Sequence, residues 1–349
     1  MRRLFPALAL SLGLTLALAA GPAGALEVED QIRIGPDTPQ ATLHILSTTD
    51  IAAARPMLDG WLARNPDLAV DYVVASANEI HQAITAERLP FDLVISSAMD
   101  LQLKLANDGH ALPQDVDEAA GALPHWARWR DLVFGFALEP VVIVASASAF
   151  DAENLPRTRR DLITALRDDP DRFRGRIGTY DPAQSGAGYL FATQDASFGN
   201  TFWRLAEVMG RLDARLYCCS GDMIDDLASD RLLVAYNVVG SYAQVSTQAG
   251  SGLIIIAPED FTLLLIRTAL VPTTAERPDL GAAFLGYLLS PAGQAAMETT
   301  PGMAPVLGAA QGLPSSARAI RLDPGLLANL DRVRKSAFLG EWTAAMTQP

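Results

Sequence analysis

Residues Arg176 to Ala196 read RIGTYDPAQSGAGYLFATQDA. Arg176-Ile177-Gly178 opens as a short apolar strand, and Thr179-Tyr180-Asp181-Pro182 follows as a polar turn. Ser185-Gly186-Ala187-Gly188 makes a corner of small residues, and Tyr189 to Ala196 continues as a helix. A strand that turns through serine and glycine into a helix leaves unpaired backbone N–H groups at the helix start, with the positive end of the dipole behind them. Such a start can hold an anion. The same residues also make an ordinary capped helix with Ser185 as N-cap. The surrounding chain decides between the two.

Upstream, Ala41 to Leu46 reads as a strand, followed by Ser47-Thr48-Thr49-Asp50 and a helical pattern through Met57, Leu58, Trp61 and Leu62 that Asn65-Pro66 stops. Leu68 to Val74 is a second strand, Ala77 to Glu87 a helix, Phe91 to Ile95 a third strand running into Ser96-Ser97, and Leu101 to Asn107 a further helix. This alternation predicts an α/β fold, a parallel sheet with helices on both faces. In such sheets ligands bind beyond the carboxyl ends of the strands. Two of those ends carry hydroxyl clusters, Ser47-Thr48-Thr49 and Ser96-Ser97, which are equally good helix caps.

Downstream of Leu112 to Asp131, which reads as loop, comes LVFGFALEPVVIVAS at Leu132 to Ser146. It is extended, apolar, interrupted by Pro140, and too long for one ordinary strand. A chain crossing between two domains has this look. Beyond the central stretch lie a helix through Phe202, Leu205, Val208 and Met209, a strand at Arg215 to Cys219, a helix at Asp222 to Ala228 and a strand at Leu232 to Val239. Phe261 to Val271 is a second long apolar run, suited to the return crossing, and helices at Ala282 to Leu289 and Pro291 to Met297 fold back on the first domain. The expected division is 26–138 plus 264–349 as one lobe and 139–263 as the other.

The 349 residues, 50% hydrophobic and 19% charged, suffice for two such units. Arg2-Arg3, the apolar Leu4 to Ala20 and the small residues Ala23-Gly24-Ala25 read as a cleaved export signal over residues 1–25. Gly21-Pro22 interrupts the apolar core, which argues against a membrane anchor. The mature chain is expected in the periplasm. A formal net charge of −13 excludes the basic footprint that nucleic-acid backbones require. The two cysteines are the neighbours Cys218-Cys219. A disulfide prefers Cα atoms about 4.4–6.8 Å apart, whereas neighbours sit at about 3.8 Å. The pair therefore reads as two small buried thiols in a strand. No cysteine–histidine spacing suits zinc, and no cofactor motif is present.

With these pieces in order, the chain resembles the periplasmic substrate-binding proteins of ABC importers, in the ferric-iron-type branch that also holds hexose-phosphate binders. The resemblance rests on FDLVISSAMD at Phe91 to Asp100, VFGFALEPVVIVAS at Val133 to Ser146 and RFRGRIGTYDPAQSGAG at Arg172 to Gly188. It continues through LLVAYNVVGSYA at Leu232 to Ala243, IIIAPEDFTLLLIRTALVP at Ile254 to Pro272 and LGYLLSPAGQAAM at Leu285 to Met297. It implies the two-lobed type II binding-protein fold, with two hinge strands and a ligand cleft between the lobes. It also implies a monomer that captures a solute and hands it to an inner-membrane permease; a membrane sensor kinase is the alternative partner.

The expected ligand contacts are Ser47, Thr48, Thr49, Ser96 and Ser97 from the first lobe, and Thr179, Tyr180, Ser185, Gly186, Tyr236, Asn237 and Tyr242 from the second. Hydroxyls and a helix start suit a small phosphorylated or carboxylated solute. Iron-binding relatives use an adjacent tyrosine pair in the segment matching Leu232 to Ala243. Here Tyr236 and Tyr242 are separated, so ferric iron, a hard ion seeking oxygen donors, ranks second, with those two tyrosines as its ligands. An enzyme is not expected: Gln184 to Gly188 approaches a nucleophile elbow, but Ala183 stands where its first glycine belongs.

Overall fold

The computed structural model describes residues 26–116, 123–150, 153–248, 252–309 and 312–347. The expected export signal lies outside them. In the first half of the chain, β1 (Asp30–Ile34), β2 (Ala41–Ser47), β3 (Leu68–Val74) and β4 (Leu93–Ser96) alternate with α1 (Ile51–Leu62), α2 (Ala77–Gln82, continued by the π-helical Ala83–Glu87) and α3 (Met99–Asn107). β2 pairs in parallel with both β3 and β4, and β1 closes the edge antiparallel to β3. Helices cover both faces, so Leu43, Ile45, Leu46, Val70, Tyr72, Val94 and Ile95 are all fully buried. α1 buries Ala54, Met57, Leu58 and Trp61, one face at helical spacing.

Then follow β5 (Arg128–Trp129), β6 (Val133–Ser146), α4 (Arg159–Asp168), α5 (Pro170–Phe173), β7 (Ile177–Tyr180), α6 (Gly186–Ser197), α7 (Thr201–Arg211), β8 (Arg215–Tyr217), α8 (Ser220–Ala228), β9 (Val234–Val239), α9 (Gly240–Gln248) and β10 (Leu253–Ile256). The chain returns through β11 (Thr262–Leu270) to α10 (Pro278–Leu289) and α11 (Pro291–Thr299). It ends with β12 (Ala304–Pro305), β13 (Ala317–Ala319), α12 (Gly325–Asn329) and α13 (Arg332–Met346). The main strand order is β1-β3-β2-β4-β11-β6-β9-β7-β8.

The Val133–Ser146 run is one continuous strand that serves both halves of the sheet. Its first part, Phe134 to Pro140, pairs with β11; from Val141 onward it pairs with β9, and from Ile143 with β10 as well. Pro140, which has no N–H to give a ladder, stands where the partner changes. The junction is fastened by ionic side chains. Arg267 of β11 donates through Nε to Glu139 Oε1 of β6 at 2.5 Å and through Nη1 to Thr49, with Arg267 and Glu139 essentially without solvent exposure.

α10 and α11 fold back on the first half: Trp61 of α1 lies edge-on to Phe284 of α10. α13 crosses a third time and packs on α7, where Phe202 stacks with Phe338 and Trp342 and Trp203 tilts against Phe338. Gly210 permits the approach, because a Cβ there would sit 2.4 Å from the Ala345 carbonyl oxygen. The apolar positions of α13 thus belong to the core of the second half.

Candidate functional site

A cavity of about 440 Å³ lies between the two halves of the sheet, beyond the carboxyl ends of β2, β4 and β7. Strand alternation sorts the first hydroxyl cluster. Thr48 faces the cavity, where its Oγ1 accepts from the Ser97 amide at 3.0 Å and lies 3.3 Å from Ser97 Oγ. Ser47 faces the core: its Oγ accepts from Tyr72 OH at 2.7 Å and from the Thr49 amide at 2.9 Å. Thr49 is spent on Arg267, and Ser96 Oγ caps the turn by accepting from the Ala98 amide at 3.1 Å. So Thr48 and Ser97 line the cavity, while Ser47, Thr49 and Ser96 hold the loops that carry them.

The second half supplies Tyr180, Ser185, Gly186 and Tyr242 to the wall. Ser185 is the N-cap of α6, its Oγ accepting from the Gly188 amide at 3.1 Å. The Tyr180 hydroxyl lies 2.5 Å from Ser220 Oγ, which also accepts from the Val239 amide at 3.0 Å. Thr179, Tyr236 and Asn237 are not in the wall. Thr179 Oγ1 donates to the Tyr236 carbonyl at 3.4 Å inside the sheet. The Tyr236 hydroxyl donates to Asp195 at 2.6 Å and accepts from Arg159 at 2.7 Å in a fully buried ionic cluster. Asn237, in the left-handed region at φ 66°, donates to the same Asp195 at 2.9 Å. A register shift in the β6–β9 ladder near Val142 breaks the alternation here and turns both side chains to one partner.

The halves touch across the cavity. Asn78 Nδ2 donates to the Gln184 carbonyl at 2.5 Å, and the Tyr242 hydroxyl donates to Asp50 Oδ1 at 3.0 Å. Gly186 lies so close that a Cβ there would be 3.0 Å from both Ala77 Cβ and Leu101 Cδ1. This is a closed arrangement.

Sequence reasoning missed the charged groups of the wall: Glu27, Glu29, Asp50, Asp222 and Arg267. Asp50 closes the hydroxyl loop and Asp222 opens a helix, but neither position announces a cleft, and the Glu27–Glu29 segment carries no signal. Burial, then Asp50, Asp222 and Glu27, push the Glu29 carboxyl above its ordinary range. Asp50 is raised by burial, against the Tyr242 hydroxyl and Arg267, which favour its ionised form. Burial, with Asp50 beside it, holds the Tyr242 phenol strongly protonated. Among the described residues, no three carboxylates or histidines lie within reach of a single ion.

The cysteines also depart from expectation. Cys218 and Cys219 are joined in a disulfide, with Cα atoms 3.8 Å apart, on the loop after β8, and Cys218 is exposed in the cleft wall. The strand ends at Tyr217, one residue short of the pair, so there is no strand interior to bury them.

A two-winged α/β sheet with a cavity of hydroxyl and charged groups between its halves is the arrangement found in solute-binding proteins. Residues 43–300 match the family model described as bacterial extracellular solute-binding protein, and the chain belongs to that family. A solved substrate-binding protein of an ABC transporter from Agrobacterium tumefaciens is 30% identical, with a TM-score of 0.87 over 93% of this chain and 100% of that one. The fold is shared with AfuA from Actinobacillus pleuropneumoniae, solved with fructose-6-phosphate, at 13% identity, a TM-score of 0.70 and coverage of 89% and 100%. It is shared too with iron-bound HitA from Pseudomonas aeruginosa, at 16% identity, a TM-score of 0.65 and coverage of 87% and 99%. A search of curated protein sequences finds no match. The family is one of non-catalytic extracellular solute-binding proteins, and the Agrobacterium relative is described as serving an ABC transporter.

Proposed function

We propose that the solute is a small anion, phosphorylated or carboxylated, that also carries hydroxyl groups, captured in the periplasm by closure of the two halves and delivered to a permease. One observation carries this: α6 starts at the cleft wall with Ser185, Gly186 and Ala187 exposed to it and no acidic residue in its first turn. The starts of α1 and α8 also reach the wall, but Asp50 and Asp222 already answer their dipoles. The acidic residue of α3, Asp100, is buried and bonded to the neighbouring Leu101 amide. Among the helix starts at the wall, those of α6 and α9 carry no acidic residue at the cap or in the first turn, and at α6 three consecutive residues, Ser185, Gly186 and Ala187, line the cavity, so anions are favoured there. The carboxylates of Asp50, Asp222 and Glu29 accept hydrogen bonds, which suits hydroxyls on the rest of the solute.

Closure follows from contacts made only when both halves hold the solute, since a ligand shifts an equilibrium only by its differential affinity. Ferric iron finds less support. Tyr236 is committed to Arg159 and Asp195, which leaves Tyr242 as the one expected ligand in the wall. A thermal-shift screen of phosphorylated and carboxylated solutes, followed by calorimetry of the best, tests the reading. Ser185→Ala should weaken binding about tenfold, or ~1.4 kcal/mol. A hit list containing only cations or neutral solutes would overturn it.

A further inference from the structure

The two cysteines of the cleft wall have no part in that reading. Cys219 is the N-cap residue of the nine-residue α8 and makes no side-chain capping bond, and Asp222 stands in the first turn of the same helix. Cys218 Sγ lies 3.5 Å from Asp222 Oδ2. One ligand atom from each of Cys218, Cys219 and Asp222 lies within 4.8 Å of the other two, and among the described residues this is the only group of three or more such side chains so arranged. All three line the cavity. We propose that opening the Cys218–Cys219 disulfide turns this corner into a site for a soft divalent cation of the zinc and cadmium class, held by two thiolates and the Asp222 carboxylate.

The chemistry follows from the neighbours. While the sulfurs are bonded to each other they carry no charge and bind cations poorly; the thiolate is the metal ligand. Reduction by a dithiol breaks the S–S bond, transfers two electrons and two protons to the cysteines, and leaves the reductant as a disulfide. Cation binding then displaces the two thiol protons. Two sulfurs and one oxygen select zinc or cadmium over hard ions such as ferric iron or magnesium. The fourth position faces the cleft, open to water. Glu29 lines the same cavity from the opposite half and adds a carboxylate to it. Exposure of Cys218 gives a reductant access. The oxidation state of the Cys218–Cys219 pair thus decides whether the cleft holds a cation beside the solute position.

Cadmium serves as the probe. Protein reduced with a phosphine, which leaves as the phosphine oxide, and protein left oxidised are each freed of reagent and titrated with Cd²⁺. Native mass spectrometry reads stoichiometry, and ultraviolet absorption reads sulfur-to-cadmium charge transfer. The expected result is one Cd²⁺ per reduced chain with the charge-transfer band, and none per oxidised chain. Cys218→Ser/Cys219→Ser should lose the band. Asp222→Asn, which keeps both thiols, should bind at least about tenfold more weakly, the scale on which even supporting groups of metal sites act. Equal binding by oxidised protein, no band in reduced protein, or Asp222→Asn binding as the wild type would each overturn the proposal, the last by showing a bare dithiol rather than a built site. A reduced chain that loses its helical circular dichroism would overturn it too, since the site needs α8 in place. No solute enters the measurement, so its outcome is independent of the anion reading.

Discussion

Gly186 is the point at which a single side chain should separate folding from closure. It is the first residue of α6, on the second half of the sheet, and its φ lies outside the left-handed region, so any residue can take its backbone conformation. A Cβ built there meets Ala77 Cβ and Leu101 Cδ1 at 3.0 Å and Ala98 Cβ at 3.5 Å, all on the first half. Gly186→Leu therefore inserts three further carbons into a contact that is full before the first is complete. Overpacking of this kind costs about 1–3 kcal/mol. Here the chain can escape the cost by opening, so it falls on the closed state rather than on folding. At ~1.4 kcal/mol per decade, the closed-to-open ratio should drop by roughly 5–150-fold, and apparent solute affinity falls with the closed fraction. Small-angle scattering should show a larger radius of gyration for Gly186→Leu under conditions that keep the wild type compact, with an unchanged melting temperature. A compact variant with unchanged scattering would refute the reasoning, as would one whose melting temperature collapses.

Burial pushes the Asp100 carboxyl up to about 7 from 3.8, so the native chain holds a proton there that the unfolded chain releases. The contribution to stability is full below pH ~4 and lost as pH rises through ~7, at most about 4 kcal/mol. Asp100→Asn should match the wild type near pH 4 and exceed it by ~1–3 kcal/mol near pH 8 in urea melts, after allowing for the lost helix-start charge; a difference independent of pH would contradict this. Tyr236→Phe removes a donor to buried Asp195 and an acceptor for buried Arg159, and should cost ~1–3 kcal/mol in the same melts. It should leave solute affinity unchanged by calorimetry; a binding defect would return Tyr236 to the site. Glu139→Gln leaves Arg267 buried without its countercharge and should cost ~3–5 kcal/mol; chemical denaturation at neutral pH measures it, and a cost under 1 kcal/mol would show the junction is not fastened there.

The alternation of strands and helices was legible because each half of the sheet is covered on both faces, which writes continuous apolar runs between hydroxyl-rich ends. The long crossing run was legible as well, down to Pro140, where the partner strand changes. α13 was not, because its sequence spreads apolar residues without a strong face, and only Phe202 and Trp203 of α7 show where Phe338 and Trp342 go. In the site, hydroxyl position could be read but direction could not. Ser47 and Thr48 are neighbours with opposite faces, and a local register shift sends Tyr236 and Asn237 to Asp195 instead of the cleft. The charged wall was hidden for a further reason: Glu29 and Asp50 of the first half and Asp222 of the second come from three separate segments that only the fold brings to one wall. The disulfide misled by its spacing, since an exposed loop accepts a link between neighbours that a strand interior does not.

The central claim is that the closed cleft holds a small anion against the start of α6. Native mass spectrometry of protein purified without added solute tests it most directly, with wild type and Gly186→Leu run side by side. The account expects a one-to-one adduct on the wild type that is released by denaturation and identified as a phosphorylated or carboxylated molecule, and its loss from Gly186→Leu. A metal ion as the adduct, or an anion retained equally by Gly186→Leu, would contradict it.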